Sequence, residues 1–551
     1  MKKTIFLILL TFSFTSYAQL NDVQVSKIDS LFIRWNAPNS PGGAVGIMQG
    51  NKVVFKKAYG LASLEYQVPN TSETIFNIGS ISKQFTAMGI ILLEEQNLLS
   101  IDDDIRKHLP ELPDFGPTIT INHLINHTSG LRSLHALFGI AGWRGDDSRT
   151  NEDLNRIIKD QKELNFKPGD EYLYCNTGYM LMATIIERIT GESFTAWMKK
   201  SVFEPLKMNN TYVEDVYQRI VANNATSYYM GSETIRAVEY WGYVGSGNVH
   251  STTDDMLTWY SNFYKPTSGW KSAFEKMRRT KKFNDGAQNN YAFGVILDQN
   301  LGRDRIQHGG AIGGFRAYGC IYPEEETSIV VLTNFSQGNP VGYSARISDI
   351  LFDDITKKDD SSPSVSKGIK LSNKALQKFE GNYWFNTSKN ARKLYVKDDT
   401  LRYSRGENNE TSLLPVAKNR FKLLGPLGDF FIEFNESEGG MGLTFEQSGR
   451  LPLRAERFEA VEVTDSELKS YVGTYRSPEL ETLYKIWMMD NEVVMYNIRH
   501  GEIRLNRIAK DKFNSIAASI TFEFNRDNDD KVTEMLMSNG RARNVRFEKF
   551  E

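Results

Sequence analysis

Apolar residues recur along the 551-residue chain at two spacings, the helical and the strand period, and their arrangement changes partway along. From about residue 20 to 355 the two are interleaved. Residues 84–96 form a long apolar run with the spacing of a buried helix, and residues 327–334 are a continuous run of apolar and β-branched side chains, the signature of a buried strand. This mixture predicts an α/β or α+β body. Residues 357–370 are polar, contain Pro, Ser and Gly, and show no period, which predicts a linker. Beyond them the text becomes short alternating segments separated by turn residues, the pattern of antiparallel β structure.

The β-rich segment repeats itself. Leu376, Phe379, Gly381 and Tyr383 return as Leu468, Tyr471, Gly473 and Tyr475, an offset of 92 residues, which also carries Asp398 to Asp490 and Phe421 to Phe513. Slightly shorter offsets match Phe434 with Phe524 and Arg457-Phe458-Glu459 with Arg546-Phe547-Glu548. Two copies of one all-β domain, each opening with a short helix and closing as a small up-and-down barrel, account for this. A barrel pairs every strand edge, so a structural or docking module is the plain expectation for each copy.

At the N-terminus Lys2 and Lys3 precede an apolar stretch at 5–14, and Ser16-Tyr17-Ala18 follows with small residues where a signal peptidase reads. This predicts a cleaved secretory signal, because the run is too short for the roughly 20 residues a membrane span needs. The organisation expected is a signal at 1–18, a body at 19–356, a linker at 357–370 and β domains at 371–460 and 461–551. The location expected is periplasmic or secreted, with no membrane anchor.

Charge narrows the partners. With 66 Lys+Arg against 68 Asp+Glu and no dense basic run, the chain lacks the electrostatic footprint of a nucleic-acid binder. The two cysteines, Cys175 and Cys320, are expected as free buried thiols, although 144 intervening residues leave a disulfide open. No His/Cys/Asp cluster has ligand spacing, so neither a metal nor a cofactor is expected.

Three segments carry candidate chemistry. In Gly79-Ser80-Ile81-Ser82-Lys83, at the start of the apolar helix, a serine and a lysine stand one helical turn apart. A serine hydroxyl becomes a nucleophile when a nearby base takes its proton, and burial can depress a lysine pKa enough for that task. Alone the spacing is weak, since Ser364…Lys367 and Ser466…Lys469 share it; neither precedes a buried helix. The second segment, Tyr174-Cys175-Asn176, precedes a long apolar helix expected from Met180, so Tyr174 and Asn176 are read as pointing the same way from an extended loop. A tyrosine beside a cation can shuttle protons. The third, His308-Gly309-Gly310-Ala311, has glycines that let a ligand backbone approach a strand edge.

Taken in order, Ser-x-x-Lys, Tyr-x-Asn and His-x-Gly resemble the serine β-lactamase and penicillin-binding-protein superfamily, specifically its class C-like branch, the S12 serine peptidases. Leu124-Ile125-Asn126-His127-Thr128-Ser129-Gly130 and Gly245-Ser246-Gly247 look like that family too, and the resemblance covers roughly residues 25–355. The two trailing domains resemble the lipocalin-like barrels of D-aminopeptidase members. The resemblance implies an antiparallel sheet flanked by helices beside a helical subdomain, with the site between them. It implies that Ser80 forms an acyl-enzyme, that Lys83 and Tyr174 share the proton transfers, and that the amides of Ser80 and Ala311 form an oxyanion hole. Asn176, His308 and Gly310 would bind substrate, with His308 acting on Tyr174 through a hydrogen bond or its field.

One departure bears on substrate. Many relatives carry Lys-Thr-Gly or His-Thr-Gly at the third motif, whereas Gly309 here removes the hydroxyl that helps hold a substrate carboxylate. Arg144 and Arg316 are the arginines that could replace that contact. The leading expectation is a D-aminopeptidase-like hydrolase of small peptide or amide substrates, with cell-wall peptides among the possible partners. A short-chain esterase, a D-Ala-D-Ala carboxypeptidase, a weak β-lactamase and a silent cell-wall-fragment binder are the alternatives.

Overall fold

The structure, a computed structural model, describes residues 20–352, 368–387, 389–405, 410–424, 430–437, 440–447, 452–459, 464–490, 492–515 and 520–550. The expected signal at 1–18 and most of the expected linker lie outside the described residues.

The N-terminal body is built on a six-stranded antiparallel sheet. Its order is Ile296–Asn300, Arg303–Ile312, Phe315–Tyr322, Thr327–Thr333, Gly43–Gln49 and Lys52–Tyr59. Thr327–Thr333 is buried at every residue because helices cover both faces of the sheet. Ile329 and Val331 pack with Ile28 and Ile347 of the helices Asp22–Leu31 and Pro340–Leu351. Their neighbours Val330 and Leu332 belong to the opposite core, with Leu257 of Thr253–Ser261 and Phe85 of Ser82–Glu95. The strand period thus divides one apolar run between two cores.

The helical region packs Ser82–Glu95 against Asn176–Thr190. The second of these helices begins four residues before the expected start at Met180, so Asn176 stands on its first turn rather than in an extended loop. Cys175, at the cap position, makes no side-chain hydrogen bond to the helix amides; its Sγ donates instead to Leu131 O at 3.3 Å. The first turn is held from outside, by the Asn176 amide donating to Ser133 Oγ at 3.3 Å and Thr177 Oγ1 donating to Arg132 O at 2.8 Å. Both cysteines are free and buried.

Two closed eight-stranded antiparallel barrels follow, from Gly381–Phe385 to Leu453–Phe458 and from Gly473–Ser477 to Val545–Lys549. Short helices, Asn373–Gln377 and Asp465–Ser470, precede them. The repeat is visible in atomic detail. Tyr383 OH donates to Phe379 O at 3.0 Å, and Tyr475 OH to Tyr471 O at 2.8 Å. Phe434 stacks on Phe379, and Phe524 lies against Tyr471.

The copies differ in what surrounds them. The first barrel encloses a core of its own around Leu394, Phe421 and Phe434. The second shares a continuous core with the helical region of the body. At that junction Arg132 and Glu479 are 1% and 2% exposed and meet at 2.6 Å. Arg132 also donates to Gln161 Oε1, Arg543 O and Asn544 O, while the Lys162 amide donates to Glu479. Such a pair is tolerated away from water only because its remaining donors and acceptors are used. Tyr484 OH donates to Ile140 O at 2.9 Å, and the Ser133 amide donates to Arg541 O at 2.9 Å.

Candidate active site

Ser80 lies on a 3-10 turn, Gly79–Ile81, that leads directly into the helix Ser82–Glu95. Strand Arg303–Ile312 crosses this turn in backbone contact. A Cβ on Gly310 would fall 1.9 Å from Ile78 O, and one on Gly79, which has φ 54°, 2.6 Å from Ala311 N. Only glycine permits that approach, which brings the Ala311 backbone beside the turn carrying Ser80. Gly309 differs from its neighbour: a Cβ there would meet nothing nearer than 3.7 Å.

Lys83 is fully buried on the first turn of the helix. Its Nζ donates to Ser80 Oγ at 3.2 Å and to Ser246 O at 2.6 Å. The Ser246 segment is fixed in turn by Thr86 Oγ1 donating to Gly245 O at 2.7 Å. Burial, followed by the positive charge of Arg541, pushes the Lys83 pKa well below that of an ordinary lysine, with Cys175 acting weakly in the opposite direction. Lys83 Nζ sits 4.8 Å from the centre of the Tyr174 ring and 5.6 Å from that of Tyr179. A lysine in this setting, with no carboxylate partner among the described residues, can take up a proton from an adjacent hydroxyl.

Tyr174 belongs to an aromatic cluster. Its ring centre is 4.2 Å from His127 and 6.3 Å from His308. His127 Nδ1 accepts from the Cys175 amide at 3.1 Å, which fixes the backbone between Tyr174 and Asn176. His308 Nε2 meets Tyr291 OH at 3.0 Å, and its Nδ1 lies 2.6 Å from Gly309 O. Tyr291 is a neighbour of His308 that the sequence reading missed, since no motif spacing marks it. His127 lies within the Leu124-to-Gly130 segment singled out in the sequence, and the structure places it in a left-handed turn conformation, φ 58°.

A cleft of about 1000 Å³ opens over these groups, and Ser80, Tyr174, Asn176, His308, Gly310 and Ala311 all line it, with Lys83 behind Ser80. Oδ1 of Asn176 is buried and has no hydrogen-bond partner among the described residues. Of the two arginines proposed as carboxylate contacts, Arg316 lines the cleft, while Arg144 does not and pairs with Asp146 at 2.7 Å. Two other arginines line it unannounced by the sequence: Arg149, from the body, and Arg541, from the loop between the last two strands of the second barrel. The described residues show no group of His, Cys, Asp and Glu able to hold a metal ion, and no helix long and apolar enough to cross a membrane.

The profile of the family described as Beta-lactamase matches residues 29–352. Penicillin-binding protein 4* of Bacillus subtilis (strain 168) is 29% identical over 323 residues, covering 56% of this chain and 71% of that protein. A D-aminopeptidase of Gluconobacter oxydans (strain 621H) is 28% identical over 296 residues, covering 53% of this chain and 56% of the relative, so the chain spans little more than half of that enzyme. Among solved structures, the octameric penicillin-binding protein homologue from Pyrococcus abyssi superposes with a TM-score of 0.56 at 25% identity, covering 79% of this chain and 100% of that one. With the sheet, the helical region and the cleft arranged as described, the chain belongs to the beta-lactamase family and is a serine hydrolase.

Proposed function

We propose that the protein hydrolyses peptide or amide bonds next to a D-amino acid through an acyl-enzyme on Ser80. The observation that carries this reading is the contact between Ser80 Oγ and the fully buried Lys83 Nζ at 3.2 Å. Lys83, whose pKa burial pushes well below that of an ordinary lysine, and Tyr174 share the transfer of the serine proton and its return to the leaving amine. The Ser80 and Ala311 amides receive the developing oxyanion, an interaction worth about 3–4 kcal/mol per donor in the transition state. Asn176 Oδ1, buried without a partner, accepts from the substrate amide. The D preference is supported by the D-aminopeptidase relatives, while Gly309, which lacks the hydroxyl of the Thr-Gly motifs, weighs against carboxypeptidase action. A secreted or periplasmic location rests on the N-terminal segment, and sequencing the N-terminus of the exported protein tests it.

The test of the reaction is a panel of D- and L-aminoacyl p-nitroanilides with the natural protein and Ser80→Ala. D substrates should turn over faster, and Ser80→Ala should lose about 10³-fold or more in kcat. Absence of turnover, preference for L, or activity surviving in Ser80→Ala would overturn the reading.

A further inference from the structure

The hairpin that carries Ala311 is supported unevenly. Its second strand pairs with Thr327–Thr333 over residues 316–322. Its first strand pairs on the far side with Ile296–Asn300 over residues 303–307 only. Among the described residues, 308–312 therefore has a strand neighbour on one side alone, and Ala311 stands two residues before the turn at Gly313 and Gly314. A donor displaced by about 1 Å can lose about 10²-fold in rate, so the end of this segment has to be held.

The tip is gripped from outside the sheet. The Gly314 amide donates to Ser227 Oγ at 3.0 Å, and that hydroxyl donates to Glu239 Oε1 at 2.5 Å. The same carboxylate oxygen lies against Gly313, where a Cβ would fall 1.9 Å from it. Arg316 closes the grip from within the hairpin, its Nη1 donating to Gly313 O at 2.9 Å and to Phe315 O at 2.6 Å. Glu239 is partly buried between exposed Val238 and Tyr240. Burial pushes its pKa up to about 7, against the opposing pull of Ser227, the Gly314 amide, Arg316 and Arg236. Ser227 is itself tied to the body. Its carbonyl accepts from the Ala237 amide at 2.8 Å, and the Tyr228 amide donates at 2.9 Å to Asn334 O, just past the strand Thr327–Thr333. Neither Ser227 nor Glu239 lines the cleft.

We infer that Glu239, acting through Ser227, is a positioning residue for the oxyanion hole: it fixes the tip of the hairpin and with it the place of the Ala311 amide relative to Ser80. The inference rests on the acyl-enzyme reading of Ser80 and is independent of the D preference.

The experiment measures kcat and KM with the D-aminoacyl p-nitroanilides and, separately, the rate at which a fluorophosphonate labels Ser80. In the labelling step Ser80 Oγ displaces fluoride from phosphorus, its proton passes to Lys83, and the phosphoryl oxygen takes the place of the oxyanion. Glu239→Ala should lower kcat and the labelling rate about tenfold or more and leave KM within about threefold. Glu239→Gln keeps a carbonyl acceptor for Ser227 and should stay within about threefold of the natural protein in both rates. Ser227→Ala breaks the relay at its other member and should repeat the loss, whereas Glu233→Ala, exposed between the strands Tyr228–Met230 and Thr234–Arg236, should change neither rate. Unchanged rates in Glu239→Ala and Ser227→Ala, an equal loss in Glu239→Gln, or a loss carried by KM alone would overturn the inference. If Glu239→Ala shows no cooperative thermal transition, Ser227→Ala decides. If no anilide is turned over but Ser80 is labelled, the D-amide reading fails alone and the labelling rates decide the role of Glu239. If Ser80 is not labelled either, both readings fall.

Discussion

The two barrels share a fold, a repeat and an internal hydrogen bond from tyrosine to backbone, yet among the described residues only one of them shares a hydrophobic core with the hydrolase body. The first is closed around its own core. The second continues the core of the body, closes a buried ion pair with it and sends Arg541 over Tyr174. A closed barrel satisfies its own strand edges, so its fold is indifferent to what lies beside it. What a copy does is therefore written in its loops and in isolated outward-facing residues, which can diverge while the barrel persists. The offset of 92 shows how little is needed: Glu479, buried against Arg132, corresponds to exposed Thr387 in the first barrel.

The contrast is broken most severely at that pair. Glu479→Ala leaves Arg132 charged in a dry junction and should cost about 3–5 kcal/mol of stability by denaturant titration, whereas Thr387→Ala should stay within about 0.5 kcal/mol. Equal effects would mean that the junction is not a shared core. Tyr484→Phe removes the hydrogen bond to Ile140 O and should cost about 1–3 kcal/mol, seen as a lower melting temperature of the unit containing the body. The smallest effect sharpens the comparison at the chemistry. Burial and, after it, the charge of Arg541 hold the Lys83 pKa down, so Arg541→Met should move the acid limb of the kcat/KM profile to higher pH, because Lys83 then loses its proton only at higher pH. No substitution confined to the first barrel should move that limb.

Much of this was legible beforehand. The hydrolase motifs depend on spacings along the chain, one helical turn from Ser80 to Lys83 and two residues from Tyr174 to Asn176, and a sequence displays such spacings directly. The repeat was readable because two copies of one pattern reinforce each other. The helix beginning at Asn176 was not readable, because its cap is Cys175 and the partner of its first amide is Ser133, 43 residues away. The junction was hidden for the same reason on a larger scale. Arg132 and Glu479 are 347 residues apart, and a single charge in a loop has no period to betray that it is buried. Arg541 stands among Arg543 and Arg546, three similar residues with different fates: the cleft for the first, and ion pairs with Glu171 and Glu163 for the others.

The Arg132–Glu479 pair also bears on the order in which the enzyme comes into being. Synthesis delivers the body first, the first barrel next and the second barrel last, and domains generally fold as they emerge. The surroundings of Arg132 nevertheless include Glu479, Arg543 and Asn544, all from the second barrel segment. The body must therefore wait on the ribosome with an unfinished face while about 190 residues of following chain, up to Asn544, are made.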